Sequence, residues 1–430
     1  MKSLIYIFLL IILLNSLHSQ QQKDFLQLKT RFGFEVLQRP YINFNIIPYY
    51  SGNKWIPDLY LTFEVQNDWL QFTKDGENYK AEYQLSAIIR HEKNAFYKEN
   101  WVETVILDNF EETNSKNEYQ YKKYKLNLSL QDRINKLKSG TYECLFQLRD
   151  LTSENAYKNS REFEIPKFKS DEIQISPVNF IENLDAVQYK LPFNPSSTAI
   201  LYNQSYTAYA SVFLDSIYSI RVNVRIYKNE EDDGQLFCQD YMTINRDSNV
   251  VDLKYNLPSD SMAPGKYRIR FSGYTGNKEL NIEKEFEIFW FDKPTYLYKA
   301  DLAIRPMRYI LSEKEFEKAS DLSYDKLEEW MEKYWAERDP SPNTNYNELM
   351  VEYFKRVQLA NERFNLRYKE GWETDQGKIL ILYGEPDKIE NRRYAADQKP
   401  HLVWIYYNQN LTFLFVDADR DGEFTLVTDE

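Results

Sequence analysis

Apolar and polar residues alternate with a period of two through most of the first 290 residues. The runs "YINFNIIPYY", "WIPDLYLTFEVQ", "AEYQLSAIIRH", "NWVETVILDNF" and "YKKYKLNLSL" are short, rich in β-branched and aromatic residues, and broken by polar turns, which predicts strands. The same texture returns in "QSYTAYASVFL", "SIRVNVRIYK", "GQLFCQDYMTI" and "NVVDLKYNL". Two longer stretches repeat each other. Residues 139–165, "SGTYECLFQLRDLTSENAYKNSREFEI", and 264–288, "PGKYRIRFSGYTGNKELNIEKEFEI", both open on Gly-x-Tyr, alternate, pass a polar loop and close on Glu-Phe-Glu-Ile. The pairs Gly140/Gly265, Tyr142/Tyr267 and Phe163/Phe286 correspond. A repeat of this length marks a β-sandwich module rather than a solenoid unit. Two consecutive sandwiches are predicted, over residues 24–166 and 172–292.

The segment "SGTYEC" resembles the late strand of immunoglobulin-like domains, where a tyrosine hydroxyl returns to the backbone at a corner. On that resemblance the sandwiches are expected to be immunoglobulin-like, with Tyr142 and Tyr267 structural. After "FWFDKPTYLY" the period changes. Ser312 followed by Glu315 is a capping box that opens a short helix. Leu327, Trp330, Met331, Tyr334 and Trp335 then recur at helical spacing, and "DPSP" stops that helix because neither proline continues the hydrogen-bond ladder. A second helix is predicted from near Asn345, with Met350, Tyr353, Phe354, Val357, Ala360 and Phe364 on its apolar face. The pair is expected to pack antiparallel across the proline turn. "KILILYG", "HLVWIYY", "LTFLFVD" and "GEFTLV" read as strands. Residues 293–430 are therefore predicted to be an α+β domain, a helical hairpin on a small antiparallel sheet.

The first residues, "MKSLIYIFLLIILLNSLHSQ", set one lysine before a short apolar run and then small polar residues. This is the layout of a secretory signal peptide, expected over 1–19, and the run is short for a bilayer-spanning helix. No later stretch is apolar enough to span, so no transmembrane segment is expected in the mature chain. A net charge of -12 argues against a nucleic-acid partner, which needs a basic face. Two cysteines, Cys144 and Cys238, fall in different predicted modules and are read as separate thiols. With His18 in the leader, only His91 and His401 remain, which weakens nucleophile–histidine and multi-histidine metal chemistry.

"KYWAERDPSPNTNYNELMVEYFKRVQLANERF" followed by "GWETDQGKILILYGEPDKIE" resembles the GWxTD domain, here with Gly371, Trp372, Thr374 and Asp375. The resemblance continues through Arg338-Asp339-Pro340, Asn347-Glu348, Gly384-x-Pro386-Asp387, Trp404 and Phe415. It implies an exported bacterial protein with the domain behind β-sandwich modules, and it implies no biochemical activity. From the residues themselves, Gly371 suits a left-handed helix stop, Trp372 packs back on the helix, and Thr374 and Asp375 bond the backbone ahead of Gly377. The motif is thus read as a corner of the fold.

Alternatives were weighed. Glu373, Asp375, Glu385 and Asp387 could supply the two carboxylates of a glycoside hydrolase, which needs no histidine. A ligand site, if present, is placed where a polar network of Arg338, Asp339, Glu348, Glu352, Arg356 and Asn361 meets Trp372 and Asp375. In "DADRDGEF", Asp417, Asp419, Asp421 and Gly422 match the first positions of a calcium loop, but Thr428 stands where a bidentate glutamate belongs. An Asp-Gly hairpin explains the same residues, so no cofactor is assigned and calcium is kept only as the alternative occupant. The function expected is that of an exported, periplasmic or outer-membrane-associated, non-catalytic binding or scaffold protein of the cell envelope. Its partner would be an envelope protein, with a glycan second; the alternative is a carboxylate-dependent hydrolase of envelope polymers.

Overall fold

Strand accounts for 46% and helix for 21% of the chain, arranged in several sheets with a helical C-terminal region. The computed structural model describes residues 26–427 apart from 53, 170–172, 183–191, 216, 229–233, 277 and 393–398. The expected leader, 1–19, and Thr428 lie outside the described residues. The chain divides into two units, through Phe291 and from Asp292.

The first unit contains both copies of the repeat. Its leading half runs β1 (Leu26–Lys29), β2 (Glu35–Gln38), β3 (Ile42–Tyr49), β4 (Asp58–Gln66), β5 (Thr73–Asp75), β6 (Asn78–His91), β7 (Asn94–Leu107), β8 (Tyr119–Lys125), β9 (Gly140–Asp150) and β10 (Ala156–Ile165). Short helices α1 (Phe110–Thr113) and α2 (Leu130–Lys136) flank β8. Strands β3-β4-β8 make one sheet, and β10-β9-β6-β5, with β7 on β6, make the other. Alternation is what lets them face each other: along β6, Ala81, Tyr83, Leu85, Ala87 and Ile89 are buried while the residues between them are not. Across the core Phe44 stacks on Phe146 at 4.5 Å and Phe63 lies 5.6 Å from the same ring.

The following half runs β11 (Gln174–Ile175), β12 (Asn179–Glu182), β13 (Ala199–Leu201), β14 (Tyr206–Phe213), β15 (Ser219–Lys228), β16 (Gln235–Asn245), β17 (Val250–Asn256), β18 (Gly265–Thr275) and β19 (Lys278–Phe289). One sheet is β11-β14-β12 with β17 on β14; the other is β13-β19-β18-β15-β16. Phe180 against Phe286, 4.9 Å, and Tyr255 against Phe271, 6.4 Å, join them.

The repeat read in the sequence is a repeat of geometry. Tyr142 faces Phe163 across β9–β10, and Tyr267 faces Phe286 across β18–β19. The rings stack at 5.4 Å and 5.7 Å. Gly140 and Gly265 open the two hairpins at φ of +142° and +144°, a region that favours glycine. Both tyrosine hydroxyls return to the backbone: Tyr142 accepts the Lys138 N–H at 2.7 Å and lies 2.9 Å from the Lys136 carbonyl, and Tyr267 donates to the Ala263 carbonyl at 2.9 Å. Cys144 is buried, Cys238 half-buried, and both are free thiols.

The second unit begins with α3 (Ala300–Ala303), α4 (Glu313–Ser320), α5 (Tyr324–Ala336), α6 (Glu348–Phe364) and α7 (Asp375–Tyr383). It closes with the antiparallel sheet β20 (Lys388–Asn391), β21 (His401–Tyr406), β22 (Leu411–Val416) and β23 (Thr425–Leu426). The Ser312–Glu315 capping box opens α4 as predicted. Helix α6 starts at Glu348 and not near Asn345 because Asn347 is its cap: Asn347 Oδ1 accepts the Met350 N–H at 2.8 Å, and Asn347 Nδ2 donates to the Trp335 carbonyl at 2.7 Å. Trp335 then meets the rings of Tyr353 and Phe354, so α5 and α6 join at the proline turn.

One element differs from the sequence reading. "KILILYG" is not a strand but the body of α7, and the sheet takes Lys388–Asn391 instead. A continuous apolar run fits a buried helix as well as a buried strand. The Thr374 side chain decides, accepting the Gly377 N–H at 3.0 Å as an N-cap. Phe364 against Trp404 and Tyr383 against Phe413 tie helices to sheet, at 5.7 Å and 5.2 Å. No helix of the described residues is long and apolar enough to cross a membrane.

Candidate functional site at the tryptophan corner

Residues Gly371–Glu373 form a single tight turn between α6 and α7. The predicted left-handed stop at Gly371 is corrected: α6 ends at Phe364, and Gly371 is not among the residues of positive φ. The glycine is required by contact instead. A Cβ there would lie 2.1 Å from the Ala360 carbonyl oxygen and 2.7 Å from Asn361 Cα, so the turn lies directly on the backbone of α6. Gly377 is restricted in the same way, since its Cβ would fall 1.9 Å from the Gly371 carbonyl oxygen. Thr374 Oγ1 donates to that carbonyl at 2.7 Å while accepting from Gly377, which closes the turn.

Trp372 is 1% exposed. Its backbone N–H donates to Asn361 Oδ1 at 3.1 Å, and its carbonyl accepts the Tyr309 hydroxyl at 3.0 Å. The indole N–H donates to Glu370 Oε2. The same carboxylate oxygen accepts the hydroxyl of buried Tyr296, which in turn accepts from Asn361 Nδ2 at 3.1 Å. Arg305 stands 3.8 Å from Glu370 and 3.7 Å from Glu373, and its guanidinium lies 5.5 Å from the indole centroid. Glu373 accepts the Glu370 N–H at 3.0 Å, a capping box across the turn. Burial pushes the Tyr309 hydroxyl up to about 12, opposed by Arg308 and assisted by Glu373 and Asp375, so it remains a donor.

The carboxylates weighed for hydrolysis are each engaged. Asp375 Oδ2 accepts the Leu426 N–H at 2.8 Å and ties α7 to β23; Asp387 Oδ2 accepts the Tyr407 N–H at 2.7 Å; Glu385 pairs with Arg363 at 2.5 Å. Asp375 joins helix to strand in a part-buried bond, whereas Glu385 and Asp387 make theirs at the surface.

The wider network proposed from the sequence is brought together in part. Asn361 does reach Trp372. Arg356 donates to Glu352 at 2.7 Å and reaches the Ile381 carbonyl at 3.4 Å, linking α6 to the end of α7 rather than to the indole. Arg338 ends α5, where its Nη1 donates to the Tyr334 carbonyl at 2.8 Å and its guanidinium lies 3.8 Å from the Tyr334 centroid. Glu348 begins α6, thirteen residues before Asn361, so a rise of about 1.5 Å per residue sets it roughly 20 Å along the helix. Neither joins the corner.

Glu370, Tyr296 and Tyr309 were missed. Glu370 and Glu373 carry a legible i,i+3 spacing, whereas the two tyrosines lie over 60 residues upstream with no local signal.

The "DADRDGEF" loop is the β22–β23 hairpin. Asp417 is 5% exposed, and its two oxygens accept the Asp421 and Gly422 N–H groups, both at 3.1 Å. Asp421 accepts the Glu423 N–H at 3.0 Å. Asp419 is exposed. Among the described residues no three His, Cys, Asp or Glu side chains converge as a metal ligand set.

Residues 274–429 match the family model described as the GWxTD domain. No curated protein matches the chain. Among solved structures, the crystal structure of a transglutaminase from red sea bream is similar at 10% identity and a TM-score of 0.20, covering 57% of this chain and 31% of its own. The chain thus spans about a third of that structure's length, and a likeness this slight carries no argument.

Proposed function

With a GWxTD domain over residues 274–429, we propose that this chain is an exported, non-catalytic binding protein of the bacterial cell envelope. In this reading its two β modules are immunoglobulin-like, and the C-terminal unit is a rigid scaffold. The partner is an envelope protein in preference to a glycan, with large aromatic surfaces supplying contact area. The observation that carries the non-catalytic reading is the inward closure of the Gly-Trp-Glu-Thr-Asp motif. Trp372 is 1% exposed, its indole N–H is taken by Glu370, and Asp375 is engaged by the Leu426 N–H. The leader-like segment supports export, and the paired Gly-x-Tyr hairpins support the immunoglobulin-like comparison.

Asp375→Asn and Asp387→Asn test it. A binding protein that stays folded keeps its envelope partner in both variants. Loss of turnover of an envelope polymer with the fold intact would establish the hydrolase. Comparing capture by the full chain with capture by residues 293–430 then assigns the binding surface to one part or the other.

A further inference from the structure

The first unit encloses a charge cluster to which both β modules contribute. Arg39, between β2 and β3, forms a forked ion pair with Glu64 on β4: Nε donates to Oε1 at 2.9 Å and Nη2 contacts Oε2. Asn43 Nδ2 adds a bond to the same carboxylate at 2.8 Å, and the guanidinium lies 4.2 Å from the Tyr119 centroid. Glu64 is 3% exposed and the Arg39 side chain 19%. From the second module β12 brings in Glu182, opposite Tyr206 of β14 and bonded to its hydroxyl. That hydroxyl also accepts the Leu201 N–H at 3.1 Å.

Glu182 Oε1 is enclosed and has no hydrogen-bond partner. It lines a cavity shared with Arg39, Glu64, Asn194, Ser196 and Tyr206, with about 10 Å³ of free space, room for one water-sized occupant. Asn194 and Ser196 are already bonded within their own loop, through Ala199 and Ser196 backbone groups at 2.8–2.9 Å. Among the described residues the titratable or charged walls are Arg39, Glu64, Tyr206 and, behind the guanidinium, Tyr119; the rest of the described lining is amide, hydroxyl or apolar. One guanidinium faces two carboxylates, and its fork is already matched to Glu64. Among the described residues a second ionised carboxylate here has no counter-ion of its own, in a space with room for one water-sized occupant.

We infer that Glu182 is a proton-operated latch between the two β modules. Neutral, it closes over the Arg39–Glu64 pair; ionised, it opposes Glu64 across the cavity and loosens the junction. Burial first, then Glu64, push the Glu182 carboxyl up to about 7, against Arg39 and the Tyr206 hydroxyl. The sign follows from proton counting. A carboxyl that is harder to ionise folded than unfolded stabilises fully below the unfolded value of 4.5, and that stabilisation is lost as pH rises to about 7. The folded-to-unfolded ratio should fall about tenfold per pH unit within that window from this group alone.

The test compares the full chain with Glu182→Gln, which keeps the neutral form at every pH. Urea unfolding from pH 4 to 8.5 should show a ratio of the two unfolding constants that changes about tenfold per pH unit between 4.5 and 7 and is level above. Hydrogen exchange in β3 and β12 should quicken in the wild type, and not in the variant, across the same range. Glu64→Gln gives a second arm: it frees the guanidinium for Glu182, and the window should move down towards the ordinary carboxylate range. The infrared carbonyl band of a protonated buried carboxyl, followed in the wild type alone, reads the same transition if Glu182→Gln fails to fold. A pH-independent difference, an unmoved window in Glu64→Gln, or no such band at pH 5.5 would each overturn the latch.

Discussion

Replacing Gly371 by alanine separates two accounts of the tryptophan corner. If the glycine served as a left-handed helix stop, alanine would cost about 1 kcal/mol and asparagine would be better tolerated than alanine. The structure assigns a steric role instead. The new Cβ would sit 2.1 Å from the Ala360 carbonyl oxygen, and ordinary contact begins at 3.4 Å, so turn and helix must separate by about 1.3 Å. Both sides of this contact are backbone, so no side chain can swing aside. Overpacking of this kind costs about 1–3 kcal/mol. The displacement also breaks the Trp372 N–H bond to Asn361, about 1 kcal/mol more. The expected loss is about 3 kcal/mol for alanine and at least as much for asparagine. Urea unfolding of the full chain, followed by tryptophan fluorescence and far-UV circular dichroism, measures it. Gly422→Ala is the control within the same unit: its φ is +94° with no atom within 4 Å of the new Cβ, so only the backbone penalty of about 1 kcal/mol applies. A Gly371→Ala variant within about 0.5 kcal/mol of wild type, or a stabler asparagine variant, would refute the contact argument.

Other consequences are measurable in the same assay. Trp372→Phe keeps an aromatic ring but loses the N–H to Glu370, and should cost about 1.5–3 kcal/mol as a bond to a charged group. A double-mutant cycle with Glu370→Gln should give a coupling of at least about 1 kcal/mol, and strict additivity would contradict the bond. Tyr142→Phe and Tyr267→Phe should each destabilise by about 1–2 kcal/mol, since each removes a hydroxyl that returns to the backbone. A loss under about 0.5 kcal/mol at either position would show that its hydroxyl does not hold the corner.

The strands of the first unit were legible because a half-buried strand must alternate, and β6 does so for its whole buried length. The Gly-x-Tyr repeat was legible because turn and corner both demand particular residues. "KILILYG" was not, because Gln376, Gly377, Ile379, Leu380 and Ile381 are buried over more than half of the circumference of α7 and blur the period. Lys388–Asn391 escaped notice for the opposite reason: it is a short, mostly exposed, polar edge strand. At the corner, Thr374 bonds the backbone at Gly377 as expected, whereas Asp375 bonds Leu426 of β23 and not the turn ahead of Gly377. The reason for Gly371 depended on the Ala360 carbonyl, and Tyr296 and Tyr309 arrive from a part of the chain whose folding position only packing determines.

The nearness of Gly377 to the Gly371 carbonyl has a consequence for how this domain is recognised. Two peptide planes are in direct touch six positions apart, so the five-letter signature is one end of a seven-letter one, Gly-Trp-x-Thr-Asp-x-Gly. A chain that kept the first five letters and bore any side chain at the seventh could not seat its helix at the same depth, and its tryptophan would stand differently from this one.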